Sequence, residues 1–259
     1  MFPKILQPIY SYKKNLIRIG PKKDGGYVID KRIINKTNYI ITCGLNDDWE
    51  FEKEFLKYNK ETKVIAYDHT VNNNFWFKKF LKDFVHFFLL KKLSYWKIKN
   101  MFSFIDYKYF FCNKNIHYQL MIDNISKSNF SININQILKN KKNVLLKVDI
   151  ENAEYKILTQ IIENSEKINC LIIEFHNIKK NINKIANFIK KNKFLKLIHL
   201  HCNNIRQLDK YNFPYAIEMT LVNKKKINLS NKKTIFSYPI KELDYPNVKR
   251  YEDIKILFN

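Results

Sequence analysis

At 259 residues the chain has room for one α/β domain with an elaboration, since single cores stop growing near ~250–300 residues. Lysine and arginine number 47 against 24 acids, yet arginine stands only at positions 18, 32, 206 and 250. Base reading and phosphate clamping lean on arginine's planar fork, so the charge argues for solvated lysine faces ahead of a nucleic-acid binder, and for attraction to an anionic small molecule or membrane surface.

The cysteines, at 43, 112, 170 and 202, have no paired spacing, which argues against a disulfide scaffold and a Cys-x-x-Cys zinc or redox site. The longest apolar run, 84–90, is far short of the ~20 residues that span a bilayer, and the first residues lack a signal-peptide layout. A cytoplasmic protein is expected, touching a membrane at most peripherally.

Residues 1–37 read as a lead-in whose Asp24-Gly25-Gly26 turn, between Ile19 and Tyr27-Val28-Ile29, predicts a hairpin. Tyr39–Cys43 is a first strand ending at Gly44, 50–59 a helix, and 64–67 a second strand ending at Asp68. From 71 to 115, Phe75, Trp76, Phe77, Phe80, Leu81, Phe84, Phe87 and Phe88 recur near helical spacing among lysines, which predicts a helical insertion after strand two. A third strand must follow it, but no pattern marks one. Then come a short helix at 131–138 capped by Ser131, strand four at Val144–Val148, a helix at 153–163, strand five at 170–175, a helix at 182–192, strand six at 195–200 and a last strand at 216–222. The tail, 223–259, is weakly patterned. Strands alternating with helices, closed by two late strands joined through a loop, imply one α/β domain over 1–259 with a mostly parallel sheet and one antiparallel member.

Ligands of open α/β sheets bind beyond the carboxyl ends of the strands, so the residues at those ends carry the functional reading. Gly44 lets backbone approach a ligand closely, and Asp68 is placed to grip a ribose diol or to cap the next helix. The pyrophosphate fingerprint is absent. Gly44 is followed by Asp47, Asp48, Glu50 and Glu52, acids that repel a diphosphate and suit a cationic nucleoside cofactor, so S-adenosylmethionine fits where NAD does not. Glu52 reads as a cofactor contact or as an acid complementing a helix dipole. Asp149 and Glu151 end strand four. Glu174 and His176 lie two apart, hence on one face of strand five, and bring an imidazole beside Asp149. There it is suited to take a proton from a hydroxyl, or it is a satisfied core group. His199 and His201 share a face of strand six; Asn203 and Asn204 follow in a loop, where they bind sugar hydroxyls or form an Asx turn. Asp149, Glu174, His176 and His201 are also donors a divalent metal could use, but no diagnostic metal spacing is present and no metal is expected.

These residues fall in an order that resembles the FkbM-type S-adenosylmethionine-dependent methyltransferases. The resemblance is carried by Arg18-Ile-Gly20-Pro-Lys-Lys-Asp24-Gly25-Gly26-Tyr27-Val28-Ile29, by the run from Gly44 to Glu52, by Tyr67-Asp68-His69-Thr70, and by the run from Lys147 to Tyr155. Ile173-Glu174-Phe175-His176, His199-Leu-His201-Cys-Asn203-Asn204 and Ile217-Glu218-Met219-Thr220 follow in family-like order. The departures are Asn152, where the family usually has glycine but asparagine tolerates a left-handed turn, and the segment 71–115, which matches no family pattern. The resemblance implies a Rossmann-like class I methyltransferase sheet. It implies S-adenosylmethionine held by Gly44, Glu52, Asp68, Asp149 and Glu151, chemistry at His176 and Asp149, and substrate contacts from Arg18, His201, Asn203 and Asn204. The implied acceptor is a sugar hydroxyl, on a nucleotide-activated hexose or heptose or on a glycan precursor for capsule or lipooligosaccharide. The alternative is a nucleic-acid methyltransferase or binder. The insertion is expected to form a lid, an acceptor-binding element or a homodimer contact.

Overall fold

The computed structural model describes all residues except 1, 10, 12, 90–101, 127–128, 207, 210–212 and 230–231, and the side chains of 86–89 are likewise left out. The side chains of Phe87 and Phe88 and the middle of the expected insertion therefore lie outside what is described.

Two short strands, β1 (Leu16–Ile19) and β2 (Tyr27–Asp30), pair antiparallel around the Asp24-Gly25-Gly26 turn. The main sheet has seven strands: β3 (Tyr39–Cys43), β4 (Lys63–Tyr67), β5 (Ile116–Tyr118), β8 (Val144–Val148), β9 (Ile168–His176), β10 (Leu195–Asn203) and β11 (Ala216–Asn223), in the spatial order β10-β11-β9-β8-β3-β4-β5. A two-residue pair, β6 (Met121–Ile122) and β7 (Ser131–Ile132), stands beside it. β4, β3, β8 and β9 run parallel, β5 joins parallel to β4, and β11 alone runs antiparallel to its neighbours. Parallel strands are covered on both faces and read as continuous apolar runs; every residue of β8 and β9 is buried. The result is the expected Rossmann-like class I methyltransferase sheet, with the seventh strand inserted antiparallel between the fifth and sixth and a helical insertion after the second.

The covering helices are α1 (Glu50–Tyr58), α2 (Asn73–Leu89), α3 (Ser103–Phe110), α4 (Ile134–Ile137), α5 (Glu154–Glu163) and α6 (Ile178–Lys191). α5 buries Glu154, Ile157, Leu158 and Ile161 at i, i+3, i+4 and i+7, and α6 buries Ile178, Asn181, Ile185 and Phe188 at i, i+3, i+7 and i+10, each a core-facing stripe. α2 and α3 form the insertion and seat Trp76 and Tyr107 against Trp49 at the start of α1.

Several boundaries differ from the sequence reading, each for a local reason. Ser131 belongs to β7, and the helix after it is capped by Asn133, whose carboxamide accepts from the Gln136 amide while Gln136 reaches back to the Asn133 amide. α6 begins at Ile178, straight after β9, because Asn177 turns the chain in a left-handed conformation. β10 continues through Asn203 because its ladder with β11 extends to Ala216, so His201 and Asn203 are strand residues. The third strand, β5, has three residues and no periodicity to read. The tail is irregular but built into the fold, bridging Phe2 to Phe258 and Tyr238 to Ile256.

Candidate active site

The chain leaves β3 through Gly44 at φ +85°, and a Cβ there would lie 1.7 Å from the Asp149 carbonyl oxygen. Only glycine permits that approach of two strand ends. After β8, Glu151 and Asn152 both take left-handed conformations, at φ +49° and +76°, so Asn152 performs the turn that glycine would ease. Between these turns opens a cleft of about 500 Å³ at the carboxyl ends of β3, β4 and β8, lined by the acids Asp47, Asp48, Asp149 and Glu151, by Lys23 and Lys147, and by the apolar Met121 and Ile122.

Asp68 holds the loop after Gly44 in place. One carboxylate oxygen accepts from the Leu45 and Asn46 amides, both at 2.9 Å, and the other from the Thr70 amide at 2.8 Å and hydroxyl at 2.6 Å. Burial alone would push this carboxyl up, but the Thr70 hydroxyl and the three amides outweigh it and hold the carboxyl below its ordinary range. It lines the cleft with its lone pairs already engaged, so its first effect on any ligand there is to shape the Gly44 loop.

His176 ends β9 and is buried. Glu154, fully buried at the start of α5, accepts its backbone amide at 2.7 Å and lies 3.3 Å from ring Nδ1. With Nδ1 protonated toward Glu154, Nε2 carries the free lone pair. Three carboxylate oxygens surround it beyond hydrogen-bond distance: Glu151 Oε2 at 3.6 Å, Glu174 Oε1 at 3.7 Å and Asp149 Oδ1 at 3.8 Å. Burial lowers the imidazole pKa, and Glu154, Asp149 and Glu151 more than offset it, leaving it raised. Asp149 itself is partly open to the cleft, but its Oδ1 is enclosed and takes no hydrogen bond, and burial pushes its carboxyl up to about 6 against the pull of His176 and Lys147.

A second group of acids adjoins the first. Register places Glu174 of β9 directly across from Glu218 of β11, with His201 of β10 next in the same row. Asp24, from the β1–β2 turn, completes this group. Asn203 donates to Glu174 at 3.0 Å, and Asn247 donates to both Asp24 at 2.9 Å and Glu218 at 2.7 Å. Burial and then Asp149, Glu218 and Asp24 drive the Glu174 carboxyl well above its usual range, and burial with the same acids and Glu174 raises the Tyr27 phenol.

Of the residues expected at the site, Gly44, Asp68, Asp149 and Glu151 border the cleft, and His176, Glu174 and Asn203 adjoin it through Asp149. Four others are engaged elsewhere. Glu52 is fully buried, accepting from Thr42 at 2.6 Å and from Lys147 at 3.1 Å, and makes an ion pair within the fold. Arg18 spends its guanidinium on the carbonyls of Pro21, Lys23 and Leu243 and braces the hairpin. His201 has Glu218 on one ring nitrogen and Asp253 on the other, and Asn204 clasps the tail through Val248, Tyr251 and Glu252. His201 is therefore no partner of the His176 group; the donor atoms within 4.8 Å of one another there are those of Asp149, Glu151 and His176, which could hold a divalent ion. The sequence reading missed Asp24, Tyr27, Glu154 and Glu218 as neighbours of the site. All four lie inside motifs already singled out, but only the fold brings those motifs together.

No family model matches the chain, and no curated protein does. Among solved structures it is similar to a precorrin-6y C5,15-methyltransferase from Geobacter metallireducens, at 7% identity over 74% of this chain and 86% of that one with a TM-score of 0.36. It is similar to the Methanococcus jannaschii fibrillarin pre-rRNA processing protein, at 10% identity over 84% and 87% with a TM-score of 0.37. A putative rRNA-methylase from Clostridium thermocellum matches at 8% identity over 72% and 88%, with a TM-score of 0.36. At such values neither substrate nor chemistry carries over to this chain.

Proposed function

We propose that this chain is an S-adenosylmethionine-dependent O-methyltransferase acting on a sugar hydroxyl, with His176 as the proton acceptor. The observation that carries the reading is a glycine-turned, acid-lined cleft that opens beside an oriented imidazole whose Nε2 makes no hydrogen bond among the described residues. The cleft fits that cofactor by its donor set. Asp24, Asp48, Asp68, Asp149 and Glu151 outnumber the lining lysines, Lys23 and Lys147, and Lys147 is already paired with Glu52, so the cleft favours a cation and disfavours a diphosphate, while Met121 and Ile122 offer apolar surface to a base. When bound, S-adenosylmethionine supplies an electrophilic methyl group.

The chain's own residues align the acceptor and move one proton. Glu154 fixes the imidazole tautomer, so Nε2 receives the hydroxyl proton, and the carboxylates around it stabilise the imidazolium that forms. Glu174, Glu218, Asn203 and Tyr27 form a polar wall able to bond several hydroxyls at once. That wall also argues the class of acceptor. A phosphodiester would bring its charge against Asp24, Asp149, Glu151 and Glu218, whereas a neutral polyol meets acceptors for each hydroxyl. On a nucleotide-activated sugar, the phosphates must lie away from this mouth.

Calorimetric titration with S-adenosylhomocysteine tests the cofactor half. Binding at one site per chain with a raised Tm is expected, and NAD should produce neither. Failure to bind at millimolar concentration would overturn the assignment.

A further inference from the structure

The insertion has two unlike faces. Inward, Trp76 and Tyr107 pack on Trp49, Leu45 and Val71. Outward, α2 leaves Phe77 61% exposed and Phe80, Leu81, Phe84 and Val85 more than 40% exposed each, while α3 leaves Ile105 62% exposed. Phe77, Phe80, Leu81 and Phe84 recur at i, i+3, i+4 and i+7, so they form one continuous stripe. An apolar hollow of about 460 Å³ opens between the helices, walled by Trp76, Phe77, Phe80, Phe102, Phe104 and Ile105. So much bare aromatic surface in one place marks a contact with something.

Charge selects the occupant. Lys78 and Lys82 are exposed one turn apart on α2, next to the stripe, and exposed Lys108 of α3 lies 5.5 Å from the Phe104 ring. Asp47 pairs with Lys79 at 2.5 Å and Asp106 pairs with Lys53, while Asp83, beside Lys82, is half-buried with its Oδ2 enclosed. A second copy of the chain would set Lys78 and Lys82 against identical lysines, whereas an anionic bilayer offers phosphates at the lysine level and hydrocarbon beneath them. We propose that the α2–α3 face docks on an anionic phospholipid surface, α2 lying in the plane of the interface with Phe77, Phe80 and Phe84 at the acyl boundary and Lys78 and Lys82 at the headgroups. This surface is distinct from the cleft and does not depend on the reaction assigned to it.

The test is flotation of the full chain with phosphatidylcholine vesicles, with and without about 30% phosphatidylglycerol. The chain should bind the anionic vesicles at least ~10-fold more tightly than the neutral ones. Both the triple variant Phe77→Ser, Phe80→Ser, Phe84→Ser and the pair Lys78→Glu, Lys82→Glu should lose at least ~10-fold, while Lys190→Glu, Lys191→Glu, an equal charge change on α6, should lose less than ~2-fold. A cooperative urea transition with the wild-type midpoint shows that each variant folds, and the lysine pair carries the test if the triple variant does not. Absence of binding to anionic vesicles, equal losses from the α2 and α6 lysine pairs, or a solution dimer that the α2 substitutions convert to monomer would each overturn the proposal.

Discussion

Replacing His201 by Gln distinguishes a structural clasp from a substrate contact. The imidazole is buried in β10 with Nδ1 3.2 Å from Glu218 Oε2 and Nε2 3.0 Å from Asp253 Oδ1, joining the sheet to the tail. Burial alone would lower its pKa, but the Asp253 and Glu218 carboxylates raise it from the ordinary 6.5 to about 10. At about 1.4 kcal/mol per pH unit the full rise would correspond to about 5 kcal/mol; the titration is shared with two acids, and breaking a buried pair commonly costs about 3–5 kcal/mol. The folded pKa lies above the unfolded one, so the stabilisation is complete below pH 6.5 and fades as the pH climbs through about 10. Urea unfolding of wild type and His201→Gln should therefore show a gap of about 3–5 kcal/mol at about pH 6.5 that narrows steadily toward about pH 10. Limited proteolysis of the variant should release the residues after 245. A gap that is absent, or equally large at both ends of the range, would refute the clasp, and a variant of wild-type stability with a raised sugar KM would restore His201 to the substrate.

His176→Ala should cut turnover by about 10²–10⁴ with cofactor affinity changed less than ~3-fold, and wild-type turnover should rise with pH through a midpoint above 6.5, because the base must be neutral and its pKa is raised. In Glu154→Gln that midpoint should move to lower pH, since the largest group holding the imidazolium is gone; an unmoved profile would remove Glu154 from the mechanism. Asp68→Ala frees the Leu45 and Asn46 amides and should weaken S-adenosylhomocysteine by ~10-fold or more, about 1.5–3 kcal/mol, read by calorimetry. Asp149 is held up near 6 from 3.8, so its ionisation costs stability as the pH rises across that interval; partly open to solvent, it should yield about 1–2 kcal/mol in Asp149→Asn above pH 6 and nothing below 3.8, measured by urea unfolding.

How far the fold was legible follows from how each part is held. β3 and β8 were readable to the residue, because strands covered on both faces are mostly apolar, interrupted here by Thr42 and Lys147, whose polar ends meet Glu52, and the chain turns directly after them at Gly44 and Asp149. β5 and the tail were not, since three residues carry no period and an irregular tail is fixed by polar ties that leave no spacing. The placement of Gly44, Asp68, Asp149 and His176 at or just beyond strand ends was legible. The site was opaque wherever a polar residue's partner is remote. Glu52 meets Lys147 from 95 positions away, and His201 meets Asp253 from 52; nothing local distinguishes such a buried pair from a residue facing a ligand. Asn204 reads as a sugar-binding loop residue until the tail carbonyls it clasps are in place.

The central claim is methyl transfer to a neutral sugar at the mouth around His176. Incubating the chain with S-adenosylmethionine and a panel of hexoses and heptoses, free, nucleotide-linked and glycan-linked, with RNA and DNA alongside, and reading product masses tests it directly. The account predicts a single added methyl on a sugar hydroxyl, abolished in His176→Ala. Methyl groups found on the nucleic acids with none on any sugar, or sugar methylation undiminished in His176→Ala, would contradict it.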